Sequence, residues 1–294
     1  MNRIPESELI LDSRGAIYHL GVRPEEIANT ILLVGDPDRV KKVSRHFDEI
    51  EFTFQHREFI THTGILEGKR ISVLSTGIGP DNIDIALNEL DALANIDFTT
   101  RTIKPNLTSL NVIRLGTSGS LQKDIPVDSF VAGTHGLGFD NVMHFYQTQN
   151  NNAETELLEA FKLHTGLTQG NVIPYVYGGS AALLQTFVNG YTQGITIGCP
   201  GFFGPQGRVL RLGLAYPGLI EKLTHFSHKK DFIANFEMES SAIYGLCRLM
   251  GHHSISLNVI VANRVAQQFS ADSNRAVEKL IEHSLDMLVS SDIA

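Results

Sequence analysis

Residues 111–120, NVIRLGTSGS, place an arginine inside a short apolar run that then opens into glycines and hydroxyls. Val112, Ile113 and Leu115 read as a strand buried on both faces, the kind found in parallel sheets covered by helices, so Arg114 is anomalous within it. Gly116 to Ser120 reads as the loop that follows, with two glycines for close backbone approach and hydroxyls that donate hydrogen bonds. A guanidinium beside exposed N–H groups and hydroxyls can hold several oxygens of a phosphate in fixed geometry. Taken alone, the stretch fits equally well an ordinary strand-to-turn junction whose arginine reaches solvent.

The rest of the chain alternates in the same manner. Ile31 to Gly35 reads as a buried strand, and Asp36-Pro37-Asp38 supplies an N-cap, a proline at the first helical position and an early acid for a helix to about His46. Gly35 therefore sits where a strand meets a helix N-terminus, a place at which open α/β sheets bind anions. EIEFTFQ, REFITHTGIL and ISVLST suggest a hairpin-rich region, with His56-Arg57-Glu58-Phe59 at one bend. The turn STGIGP leads into a helix whose Ile83, Ala86, Leu87, Leu90 and Leu93 keep helical spacing. Residues 95–109 are a polar excursion.

Further strands are expected at 128–134 and 254–262, and helices at 154–164, 219–226, 236–250 and 273–289. Residues 135–152 read as a connection, 172–177 and 195–197 as apolar runs, and 199–208 as a shaped loop too rich in Gly and Pro for regular structure. With no internal repeat or linker, the pattern argues one α/β domain. Residues 1–18 are expected to form a loosely held N-terminal arm and 19–294 the domain.

Net charge is −8 with a sequence pI near 5.8. No long basic run occurs, which argues against nucleic acid and anionic membranes as partners. Any anion site must then be built from a few local arginines. Arg39, Arg57, Arg114, Arg208 and Arg264 all fall at element ends beside glycine-rich turns. The two cysteines, Cys199 and Cys247, lack metal or redox spacing, and no apolar run has signal-peptide or bilayer length, so a soluble cytoplasmic protein is expected. Glu237 and Glu239 fall in the first turn of the expected helix, where the dipole alone explains them. Alternatively one accepts hydrogen bonds from vicinal sugar hydroxyls, with Met238 as an apolar contact.

GDPDRV, HREF, STGIG, IRLGTSGS, FFGPQGR, NFEMES and ANR occur in this order. As a set they resemble the nucleoside phosphorylase family, and within it the branch that cleaves uridine, from about His19 to the last helix. The resemblance implies a single-domain three-layer α/β/α fold with a central twisted mixed sheet. It implies a phosphate cradle of Gly35, Arg39, Arg114 and Thr117, completed by Arg57 lent across a dimer interface. His19, also lent, would meet the sugar's 5′-hydroxyl, and Glu239 with Met238 and Thr117 would hold the ribose. Phe202 would lie against base and sugar, with Gln206 and Arg208 reading the uracil edge, Arg264 bracing Arg208 and Glu237 positioning the base-binding groups. Arg114, Arg208 and Glu239 would carry catalysis.

Purine-cleaving relatives use an aspartate near the end of the late strand. The comparable place here holds Asn263, so uridine fits better than a purine nucleoside. The implied reaction is reversible phosphorolysis to uracil and ribose 1-phosphate, with uridine and inorganic phosphate as substrates and no redox cofactor or catalytic metal. A structural monovalent cation such as K+ would sit at a subunit interface near Glu58, Ile71 and Ser75. A homodimer is the minimum unit, with a hexamer of dimers as an alternative. Rival readings are a purine nucleoside phosphorylase, a nucleosidase that uses water, and a catalytically silent nucleoside-binding protein. Pro80 after STGIG, the long excursion and the extended arm depart from the family pattern.

Overall fold

The computed structural model describes residues 3–168 and 170–293. After a single 3-10 turn at Pro24–Glu26, its first strand is β1 (Thr30–Val34), buried at every position. Asp36 caps α1 (Pro37–Ser44), its carboxylate accepting the Asp38 N–H at 3.0 Å. An antiparallel meander follows, β2 (Glu49–His56), β3 (Phe59–Leu66) and β4 (Lys69–Ser75). Then come α2 (Pro80–Asn95) and a small hairpin of β5 (Ile96–Asp97) and β6 (Thr102–Ile103). The middle of the chain holds β7 (Asn111–Ser120), β8 (Phe130–Gly138), α3 (Asn152–Thr165), β9 (Tyr175–Gly178), α4 (Ala181–Thr186) and β10 (Tyr191–Gly198). The last third holds α5 (Leu219–His225), β11 (Ser227–His228), β12 (Asp231–Glu237) and α6 (Ser240–Met250), then β13 (His253–Asn263), β14 (Gln268–Phe269) and α7 (Ser273–Val289).

The main sheet runs β11-β12-β10-β8-β13-β7-β1-β4-β3-β2. β4, β1, β7 and β13 are mutually parallel, β8 lies antiparallel to β13, and β10 is parallel to both β8 and β12, so the sheet is mixed. β12 also pairs with β7 at Asn235↔Ser120 and Phe236↔Gly119, which closes β7, β13, β8, β10 and β12 into a ring.

Alternate residues of β1 serve opposite layers, as period 2 requires. Ile31 and Leu33 pack with Ile83, Leu87 and Ile243 of α2 and α6. Leu32 and Val34 pack with Val40, Val277 and Leu280 of α1 and α7. The expected three-layer α/β/α arrangement is what the chain adopts. Among the described residues no helix is long and apolar enough to cross a membrane.

Three expectations are corrected. Gly116 to Ser120 belongs to strand β7, held there by pairing with β13 as far as Asn263↔Ser120. Its glycines leave room for neighbours: a Cβ on Gly119 would sit 3.2 Å from the Phe236 ring. Phe236 and Glu237 end β12 rather than begin a helix, because pairing with β10 persists to Gly198↔Glu237. Nor is the N-terminal arm loose. Arg101 donates from Nε to the Ile4 carbonyl at 3.0 Å and from Nη2 to those of Pro5, at 3.0 Å, and Leu9, while Leu9, Ala16 and Ile17 are buried. Residues 1 and 2 of that arm lie outside the described residues.

Candidate active site

The C-terminal ends of the parallel strands β1, β7 and β13 converge with the end of β12 and the 199–208 loop around a cavity of about 770 Å³. This is the edge of an α/β sheet at which ligands bind. β1 and the start of α1 contribute Gly35 and Arg39, and β7 contributes Arg114 and Thr117. The β12–α6 junction contributes Glu237, Met238 and Glu239, and the loop contributes Phe202, Gln206 and Arg208.

One end of the cavity is a buried cluster of charge. Glu237 closes β12 and caps α6 with its side chain, accepting the N–H groups of Glu239 at 2.9 Å and Ser240 at 3.0 Å. Glu239 accepts the Gly79 N–H at 2.8 Å with one oxygen and Arg114 Nη2 with the other. Arg114 Nη2 also lies 3.4 Å from Glu237. Burial raises the Glu237 carboxyl above the ordinary glutamate value, and the opposing pull of Arg114 does not cancel it. Arg39 donates to the Leu115 carbonyl at 3.1 Å. Burial, then the charge of Arg114, lowers its pKa to about 10, so it stays a cation at neutral pH.

The other end carries Arg208, with Arg264 behind it. Arg208 lies 3.7 Å above the Phe202 ring and donates to the Phe202 carbonyl at 2.7 Å and to Gln206 Oε1. Gln206 in turn donates Nε2 to the Glu237 carbonyl at 3.4 Å, which fixes its amide. Arg264 braces the loop by donating to the Gln206 carbonyl at 3.0 Å. Burial, then the Arg264 charge, lowers Arg208 to about 10. The charge of Arg114 thus disfavours that of Arg39, and the charge of Arg264 that of Arg208, which a bound anion would relieve.

Comparison with known proteins bears directly on this arrangement. A family model described as the phosphorylase superfamily matches residues 29–289. The chain belongs to the phosphorylase superfamily. It is similar to the uridine phosphorylase of Thermococcus kodakarensis, at 27% identity over 95% of this chain and 88% of that protein. It is similar to the uridine phosphorylase of Escherichia coli, at 26% identity over 94% of this chain and 97% of that one. A crystal structure of Trypanosoma brucei nucleoside phosphorylase, described as showing uridine phosphorylase activity, superposes with a TM-score of 0.87 at 29% identity, covering 97% of this chain and 100% of that chain.

Eleven of the residues singled out from sequence line one cavity: Gly35, Arg39, Glu58, Arg114, Thr117, Phe202, Gln206, Arg208, Glu237, Met238 and Glu239. Arg264 stands behind the loop. Glu237 meets Gln206 through its backbone carbonyl, while its carboxylate faces Arg114. His19 and Arg57 are outside the cavity wall and group together elsewhere. The Arg57 guanidinium lies 6.0 Å from the Tyr18 ring, His56 meets the His19 carbonyl at 3.1 Å, and His19 Nδ1 is 2.6 Å from Glu89.

Within one chain the three residues expected near an interface cation are placed differently. Ser75 donates to the Glu58 carbonyl, but Ile71 is held between Thr30 and Gly64 inside the sheet. The Glu58 and Asn82 side chains instead meet over Gly77. Asn263 also faces away: it donates to the carbonyls of Gln122 and Ile125 and accepts the N–H groups of Val265 and Ala266. β13 lines the cavity with Val261 and Ala262.

Sequence reasoning missed Ile78, Asn82, Phe236 and Phe269 as wall residues. Ile78 and Phe236 lay inside quoted motifs. Phe269 had no local signal, since its place depends on the two-residue strand β14 folding back on Ala262.

Proposed function

We propose that this chain is a uridine phosphorylase, moving the ribosyl group of uridine to inorganic phosphate to give uracil and ribose 1-phosphate, reversibly. The observation that carries the reading is one cavity lined by Arg39 and Arg114 toward one end, with the buried carboxylate of Glu239 beside them, and by Arg208 toward the other, braced from behind by Arg264. Phosphate against Arg39, Arg114 and Thr117 would face the anomeric carbon. Glu239 offers acceptor oxygens to the sugar hydroxyls. At the far end, the Gln206 amide can both donate to and accept from the uracil edge, with Phe202 against the ring.

Cleavage of the bond between the anomeric carbon and the base nitrogen builds oxocarbenium character on the sugar, as in other glycosyl transfers. The bonding pair leaves with uracil, whose carbonyl oxygen gains negative charge beside Arg208, and the base takes up a proton after departure. A phosphate oxygen then bonds to the anomeric carbon. Positioning of phosphate replaces a protein nucleophile.

Val261 and Ala262 offer no acid to a purine ring, which favours uridine over inosine. The position of His19 and Arg57 away from the chain's own cavity supports a homodimer in which each subunit completes the other's site, with a hexamer of dimers as the larger form. A monovalent cation at that interface, near Glu58, Ile71 and Ser75, belongs to the same proposal. Two buried, unpaired cysteines support a reducing, cytoplasmic setting.

The test is uracil release from uridine by the purified protein, with and without phosphate, with inosine in parallel. Phosphate-dependent release from uridine alone is expected. Release without phosphate would mean a nucleosidase, release from inosine a purine enzyme, and silence on both a binding protein.

A further inference from the structure

Arg114 is held on one side only. Its Nη2 faces Glu239 and Glu237, whereas its buried Nη1 has no hydrogen-bond partner among the described residues. The buried amide oxygen of Asn258 also has none. Both atoms lie over Gly116, where an added Cβ would come 1.6 Å from Arg114 Nη1 and 2.5 Å from Asn258 Oδ1. They are close enough to meet directly or through one water.

The strand register explains the meeting. β7 and β13 run parallel with Arg114 opposite Ser256 and Gly116 opposite Asn258. Residues two apart on a strand share a face, so these four form one patch behind the cavity. Asn258 Nδ2 donates to Ser256 Oγ at 3.0 Å, which orients the amide and leaves its oxygen uncommitted. Ser256 Oγ accepts from Ser240 Oγ at 2.7 Å, and the Ser240 N–H donates to Glu237 at 3.0 Å. The network thus runs from Arg114 through Glu237, Ser240 and Ser256 to Asn258 and back toward Arg114. Asparagine is depleted in strands, and a fully buried one is costly unless its amide is used.

We infer that Asn258 is a positioning residue for Arg114: its amide oxygen takes Nη1 and fixes the guanidinium plane so that the remaining N–H groups face the bound phosphate. The inference rests on the phosphorolytic reading above. Its effect is greatest in the loaded site. Once sugar hydroxyls claim the Glu239 oxygens, Arg114 loses its main hold, and Asn258 is the support that remains.

Asn258→Val and Asn258→Thr test this, since the two replacements share a shape that strands accept and differ by one hydroxyl. Inorganic phosphate is titrated calorimetrically into each purified variant, and KM is measured separately for phosphate and uridine. Asn258→Val is expected to weaken phosphate binding and raise its KM about tenfold, with the uridine KM within about twofold of wild type. Asn258→Thr should recover part of that loss. In an Arg114→Lys background, Asn258→Val should change phosphate affinity by no more than about twofold, because coupled residues are not additive. Equal phosphate affinity for Val, Thr and wild type would overturn the inference, as would equal losses for phosphate and uridine or a full effect in the Lys background. Absence of phosphate binding by the wild type would overturn the phosphorolytic reading and the inference with it.

Discussion

Arg208 stacks on Phe202 and shares its donors between a carbonyl and the Gln206 amide, with no carboxylate in ion-pair range among the described residues. Its charge is therefore not committed to an acid, as the proposed role toward a departing base requires. Arg208→Ala is expected to lower kcat for uridine about 10²-fold to 10³-fold while leaving phosphate affinity within about twofold. Arg114→Ala should do the reverse, weakening phosphate most, and steady-state kinetics with a phosphate titration separate the two. Glu237 gives a pH test. Burial raises its folded pKa above the ordinary 4.5, so the native state keeps a proton that the unfolded chain has released. Between those values stability falls as pH rises, and Glu237→Gln should flatten the slope of Tm against pH from about pH 5 to 7. Most of these residues were visible from sequence because each sits in a short motif at an element end. Asn258 was not, because an asparagine within an apolar strand acquires a meaning only from the register that sets it opposite Gly116.

Boundaries were the least legible feature of the elements. The run NFEMES looks like a helix start because its acids sit where a dipole favours them, but Glu237 performs the capping from the last position of a strand, reaching forward to the N–H groups of Glu239 and Ser240. Gly116 to Ser120 looks like a loop because glycine is poor in strands. There the missing side chains admit the Arg114 guanidinium and the Phe236 ring instead. The N-terminal arm looked unattached because its partner, Arg101, lies some ninety residues downstream. Arg101→Ala, which removes a guanidinium from three carbonyl acceptors, is expected to cost about 1.5–3 kcal/mol and to speed amide exchange across residues 4–17, measurable by denaturant titration and hydrogen exchange.

Across the whole molecule, alternation of buried runs with helical segments was enough to give the α/β class and the family resemblance its three layers, while closure of β12 onto β7 was not readable, since no local pattern encodes a pairing so distant in sequence. That closure brings the β12–α6 acids to the end of β7 and so assembles the charged end of the cavity. Because Arg39 and Arg114 repel one another there, phosphate should stabilise the fold. At one hundred times its Kd the gain is about 2.7 kcal/mol, seen as a Tm rise of several degrees that Arg114→Ala abolishes. The guanidiniums of the cavity also have a consequence for traffic. Uridine with phosphate, or uracil with the sugar phosphate, would bring electron-rich groups to the same guanidiniums, and a catalyst speeds both directions alike. Such a pocket is a turnstile without a ratchet, and the crowd waiting on each side sets the direction of passage.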